Sequence, residues 1–257
     1  MPRHLVLTDA EYYHAIRTRL LLGICSERWG DVCFTAACSC GRVPTFRDAF
    51  HFLDCTRTAH AYYNFRHNRV QTVVKDFLKR HFNVRIEDQP MTHRARMDHR
   101  YADLKISYAT RVGGTVAPFT KLLDFVVSNP SAESYLPQEG ELLVAGNGNR
   151  YQEREKNQEY EGVDEDVTPF AVEITGRVGE EARMFIELME QEPELLKGGR
   201  RGHARVSRVA TLQGQLSRAL AKVCGRHASH AFEKARDRTM SELWVRNQGI
   251  HDLQVLA

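Results

Sequence analysis

No run of apolar residues in the 257-residue chain approaches the roughly 18–20 needed to cross a bilayer as a helix. The opening residues, MPRHLVLTDAEYY, also lack the apolar stretch of a secretion signal. Both absences argue against a membrane or secreted protein and for an intracellular, reducing setting. No internal repeat recurs at solenoid periods. Compositional bias is absent too: 42% hydrophobic and 27% charged residues are ordinary for a globular protein, which excludes long disorder and fibrous repeats. Six cysteines in a reducing compartment point to metal ligation or plain burial rather than disulfides.

What is present is charge segregated by sign. The net charge is only +3, yet residues 56–111 carry twelve Lys/Arg against five Asp/Glu, with five of the twelve histidines. Residues 131–194 carry seventeen acidic against five basic side chains, and residues 195–238 eleven basic against two acidic. A single block of this kind is usually a solvated face. Two basic blocks around an acidic one suggest polyanion-binding surfaces beside a carboxylate-rich site.

Spacing predicts a helix over 9–24, with Thr8 as N-cap and Gly23 as stop, then a Cys/His-rich stretch over 25–55. The clearest helix covers 61–82, where Val70, Val73, Val74, Phe77 and Leu78 share one face. Strands are expected over 83–87, 101–108 and 122–128, the last closed by Asn129-Pro130. A loop over 131–149, a polar helix over 150–161, a buried strand over 168–175 and a helix over 180–190 follow. The segment LLKGGRRGHAR reads as a flexible basic linker and 205–238 as helix. Residues 61–191 thus read α-β-β-β-α-β-α, a mixed α/β layer fold. The expected division is an N-terminal helix and zinc knuckle over 1–60, an α/β core over 61–194, and a basic linker with C-terminal helices over 195–257.

Cys38, Cys40, His51 and Cys55 form C-x-C-x10-H-x3-C, a thiolate and imidazole set that a tetrahedral Zn²⁺ prefers. Gly41 follows the second cysteine, where a tight turn can aim amides at sulfur. Cys33 is an alternative ligand, and Cys25 and Cys224 read as structural. Scattered reduced cysteines acting as small hydrophobes are the plain alternative.

Metal-dependent phosphodiester hydrolysis needs carboxylates fixed around Mg²⁺ and a lysine to polarise water or stabilise developing charge. Asp103 falls in RYADLKI and Asp124 in LLDFVV. An acid inside an apolar strand is costly unless paired or employed, so Asp124 is the stronger candidate. No lysine stands two residues after Asp124, so the amine has to come from the next helix, where Lys156 precedes Tyr160 by four. Asp98 with Asp103-Leu104-Lys105 is a second way to read the pattern. Glu87 and Glu173 either line the cleft or form salt bridges.

The order of RTRLLLGI, CSCG…HFLDC, FRHNRV, VRIED, RYADLKI, LLDFVVSNP, EKNQEY and TPFAVEITGRVG resembles the C-terminal region of early-branching non-long-terminal-repeat retrotransposon polyproteins over about residues 5–191. There a restriction-like endonuclease follows a CCHC zinc knuckle. The resemblance implies a restriction-endonuclease-like αβββαβ core of the PD-(D/E)XK type and a Mg²⁺-dependent nuclease that nicks DNA in the nucleus. It also implies DNA and element RNA as partners, and a reverse transcriptase domain in the parent polyprotein. Carried over, Asp103 and Asp124 are the metal-binding acids, Lys156 the catalytic lysine and Tyr160 its helical neighbour. Ala102 stands where the family has proline, twenty residues separate the acids, and Glu159 stands at the usual second lysine. A non-catalytic nucleic-acid-binding module and an α/β protein without a nucleic-acid role are the competing expectations.

Overall fold

The computed structural model describes residues 26–29, 32–35, 40–41, 51–88, 102–112, 115–130, 146–162, 166–192, 194–197 and 207–255. The helix expected over 9–24 lies outside them. Contacts divide the chain into two units, one holding the described residues of 64–130 and 134–220, the other those of 1–63 and 221–257.

In the second of these, β1 (Ser26–Trp29) and β2 (Val32–Thr35) pair antiparallel, Ser26 opposite Thr35. A short helix, α1 (His51–Asp54), leads into α2 (Thr56–His81). The expected helix over 61–82 therefore begins five residues earlier. From residue 64 on, α2 belongs to the other unit, and there Val70, Val74, Phe77 and Leu78 are buried along one face, as their spacing requires, whereas Val73, expected with them, is only half-buried.

The other unit is built on a four-stranded mixed sheet in the order β3-β4-β5-β6: β3 (Arg85–Asp88), β4 (Leu104–Val112), β5 (Thr115–Ser128) and β6 (Val167–Glu173). The first three pair antiparallel, and β6 runs parallel to β5, Asp124 opposite Pro169. A parallel neighbour demands a crossover, which carries α3 (Asn147–Glu159). After β6 come α4 (Glu180–Gln191) and α5 (Arg208–Val255), which belongs to this unit only as far as residue 220. The protein is thus a mixed α/β fold. Leu104 and Ile106 alternate with partly exposed Lys105 and Ser107, while residues 122–128 of β5 are buried without a break. Cover on both faces explains that unbroken run.

Three expectations are corrected. The second strand starts at Leu104, so Asp103 sits at a bend just before it rather than within it. The third strand is twice as long as its apolar part, because Thr115–Lys121 already pairs with β4. The linker read from LLKGGRRGHAR is not free at its start: Leu195 is buried, its carbonyl accepts from Asn83 N–H at 2.6 Å, and Lys197 N–H donates to His81 O at 3.0 Å.

The inward face of α3 has a consequence for stability. Glu153 is buried, and its Oε1 accepts the Glu181 N–H at 3.1 Å, so it caps α4, whose N-cap is Gly179 and supplies no side chain. A Cβ on Gly179 would lie 2.1 Å from that oxygen. Burial pushes the Glu153 carboxyl up to about 7 from 4.5, with the Glu181 and Glu180 charges adding to it and the backbone N–H bonds opposing it. Between those values the folded chain holds a proton that the unfolded chain has lost. Stability from this group is therefore full below the lower value and declines as pH rises to the upper one, by up to about 3 kcal/mol. Glu153→Gln keeps an acceptor, so its urea midpoint should change less than the wild type's between about pH 5 and about pH 8. Parallel pH profiles for the two proteins would refute this assignment.

Candidate functional site

The β4–β5 register brings two acids together. Leu104 pairs with Leu123, so Asp103, one residue earlier, lies opposite Asp124, and its N–H donates to Leu123 O at 3.0 Å. Directly opposed residues of an antiparallel pair project from the same face. Asp103 Oδ2 accepts the Phe125 N–H at 2.7 Å and faces His67 Nε2 at 3.0 Å. Gln71 Nε2 donates to Asp103 O at 3.0 Å, one turn along α2 from His67.

Asp124 is 6% exposed. Its Oδ2 accepts the Tyr160 hydroxyl at 2.8 Å and pairs with Lys156 Nζ at 2.9 Å. Lys156 and Tyr160 are four residues apart on α3 and just beyond its end, hence on one face. With Asn149 and Glu153 they make the inward face of that helix wholly polar. Asn149 accepts from Ser128 Oγ at 3.1 Å and donates to Arg177 O at 3.0 Å. Each inward side chain thus has a directional partner, and no apolar stripe is needed.

The electrostatics separate the two acids. Burial works against ionisation of Asp103, but the hydrogen bond and charge of His67, with the Phe125 N–H, outweigh it and hold the carboxyl below the usual range. Burial foremost, with the Asp103 charge beside it, holds Asp124 above the usual range despite Lys156 and Tyr160. The hydrogen bond to Asp103 raises His67 more than its burial lowers it. Burial disfavours charge on Lys156, yet Asp124 and Glu159 outweigh it, so the amine stays an ammonium. Burial and Asp124 push the Tyr160 hydroxyl upward. Both acids take these tethers on Oδ2, and the two carboxyls also interact with each other through a side-chain hydrogen bond. Carboxyl oxygens are the ligand type that hard divalent cations take.

Of the acids and amines singled out in the sequence, Asp103, Asp124, Lys156 and Tyr160 converge. Glu87 does not join them: its exposed carboxylate faces Lys105 Nζ at 3.6 Å, which also commits the lysine of the alternative Asp103-Leu104-Lys105 pattern. Glu173 is buried at the end of β6, with Thr175 Oγ1 at 3.3 Å and Arg177 Nε at 3.8 Å. Asp98 lies outside the described residues. Sequence reasoning missed His67 and Gln71. The signals were the FRHNRV piece of the resemblance, which holds His67 without a role assigned to it, and a pair of polar side chains four apart beside the apolar face of α2.

A second group lies in the other unit. Ligand atoms of Cys40, His51 and Cys55 are all within 4.8 Å of one another, and these residues can hold a metal ion such as zinc. His51 and Cys55 are joined by a Cys55 N–H to His51 O bond of 2.7 Å across α1, and Cys40 Sγ lies 3.1 Å from His51 Nε2. Gly41 has φ +90°, a turn that only glycine adopts cheaply. Cys38 lies outside the described residues. Protein purified without chelator should carry about one zinc per chain, and Cys40→Ser or His51→Ala should lower the metal content and the melting temperature. Elemental analysis without zinc would refute this.

No protein-family model matches the chain, and no curated protein matches it. The candidate sites therefore rest on their geometry.

Proposed function

We propose that the chain is a Mg²⁺-dependent DNA endonuclease with a restriction-endonuclease-like αβββαβ core of the PD-(D/E)XK type, accompanied by a structural zinc knuckle. The observation that carries this reading is the convergence of Asp103 and Asp124, opposite each other across β4 and β5, with Lys156 Nζ 2.9 Å from Asp124 Oδ2. Asp103 and Asp124 would hold the Mg²⁺, which when bound supplies positive charge to the phosphate and acidity to a water. Lys156, as an ammonium, serves as a donor to the attacking water and a countercharge to the developing phosphorane, not as a base. Tyr160 holds Asp124 Oδ2 and so fixes which oxygen remains for the cation. The basic stretches 92–100 and 197–208 would grip phosphates and position the duplex. Derivation from a non-LTR retrotransposon, with a nuclear setting, element RNA and a reverse transcriptase domain in the parent polyprotein, belongs to the same reading.

One observation favours a second reading, a nucleic-acid-binding module that has lost cleavage. Lys156 is held by Glu159 Oε2 at 3.0 Å as well as by Asp124, which draws the amine away from substrate. The deciding experiment is nicking of supercoiled plasmid by the purified chain. Under the leading reading, nicks accumulate with Mg²⁺, stop on chelation and fall steeply in Lys156→Met. Salt-sensitive DNA retention without nicks under Mg²⁺ or Mn²⁺ would select the second.

A further inference from the structure

Asp103 stands at a bend outside the β-ladder, yet three donors fix it. Phe125 N–H and the His67 ring both address Oδ2, and Gln71 holds the carbonyl of the same residue. The His67 ring is itself constrained: Nδ1 faces Asn68 Oδ1 at 3.3 Å, and the ring stands at 87° to Phe125 with centroids 6.4 Å apart. Both side-chain donors come from α2, anchored nearby by buried Val70 and Val74. A strand-end acid thus takes its orientation from a helix 32 to 36 residues earlier in the chain.

We infer that His67 and Gln71 are positioning residues that turn Asp103 Oδ1 toward the cation shared with Asp124, and that they set the affinity of the site for Mg²⁺. The inference rests on the metal site of the proposed nuclease. Mg²⁺ demands near-ideal octahedral geometry, so a ligand that swings freely lowers its occupancy. Loss of an outer partner of a ligating group typically costs about 10–100-fold in metal affinity or activity. Positive charge on the imidazole acts in the opposite sense and repels a cation. The two contributions therefore predict opposite results when the ring is removed.

Divalent-ion binding by the full chain, with its zinc retained, separates them. The probe is Mn²⁺ followed by electron paramagnetic resonance, with Mg²⁺ competition, so no cleavage is required. His67→Ala should weaken Mg²⁺ competition about tenfold or more, while His67→Gln, which keeps an N–H donor, should recover most of it. Melting temperatures of both variants should show that they are folded. If His67→Ala does not fold, Gln71→Leu carries the test, with weakened competition expected. Unchanged or tighter binding in a folded His67→Ala, or equal loss in the alanine and glutamine variants, would overturn the positioning role alone. A wild type that binds no Mn²⁺ at a site sensitive to Asp124→Asn would overturn both the metal site and the inference.

Discussion

Asp124→Asn is expected to reduce plasmid nicking by about three orders of magnitude or more while leaving the fold and DNA retention nearly intact. The asparagine has almost the same volume, and an amide oxygen still accepts from Tyr160 and Lys156, so the buried pocket around position 124 is not emptied. What disappears is the charge that would hold Mg²⁺. Asp103→Asn should be about as inactive, and the double variant no worse than either, because residues that act on one ion are not additive. Plasmid conversion from supercoiled to nicked form, measured beside a urea melt, reads both quantities. Substantial nicking by the folded Asp124→Asn protein would remove Asp124 from the metal site.

The largest effect on stability is expected from Gly176→Ala. Gly176 follows β6 with φ +88°, and a Cβ there would sit 2.4 Å from the Ser217 Cα and 2.5 Å from its nitrogen. The obstacle is backbone, and it is fixed: Ser217 Oγ donates to Thr175 O at 2.9 Å, and Leu216 and Leu220 beside it are buried. Left-handed backbone costs an alanine roughly 1–2 kcal/mol, and forced overpacking about 1–3 kcal/mol more. Against a total stability of about 5–15 kcal/mol that is a severe loss. Gly162→Ala is the control, since φ is +76° but nothing lies within 4 Å of the added carbon. It should pay the backbone cost alone. Equal urea midpoints for the two variants would show that α5 does not press on this turn.

The elements that bury apolar area by a regular period were legible in the sequence. Val70, Val74, Phe77 and Leu78 of the α2 stripe and the run around Phe170 are buried where the pattern placed them, and α4 forms over the span expected of a helix. The first half of β5 was not, because Pro118 and the threonines of TVAPFTK interrupt an apolar strand pattern, and its pairing with β4 supplies what the side chains do not. Asp124 stood out because its apolar neighbours made its charge anomalous. Lys156 could be reached only by excluding the third strand as the source of an amine. His67 carried no such anomaly: FRHNRV entered the resemblance only as an ordered piece, and the role of a histidine on a long helix emerges only when the chain returns 36 residues later with Asp103. Sequence spacing reports local order, and this contact is not local.

The polar face of α3 bears on how the protein tolerates change. Along α4, a leucine-for-methionine exchange preserves volume and should pass almost unnoticed, because contact there has no preferred direction. Along α3, Asn149, Glu153, Lys156 and Tyr160 each meet a particular partner atom at a particular angle. Substitutions that are mild in an ordinary core, such as Asn149→Leu, would leave the Ser128 hydroxyl without its acceptor and take from the Arg177 carbonyl one of its two donors, the other being the Glu173 N–H. A saturation scan of this helix should therefore invert the usual profile, with inward positions rejecting every apolar residue and outward positions accepting nearly all.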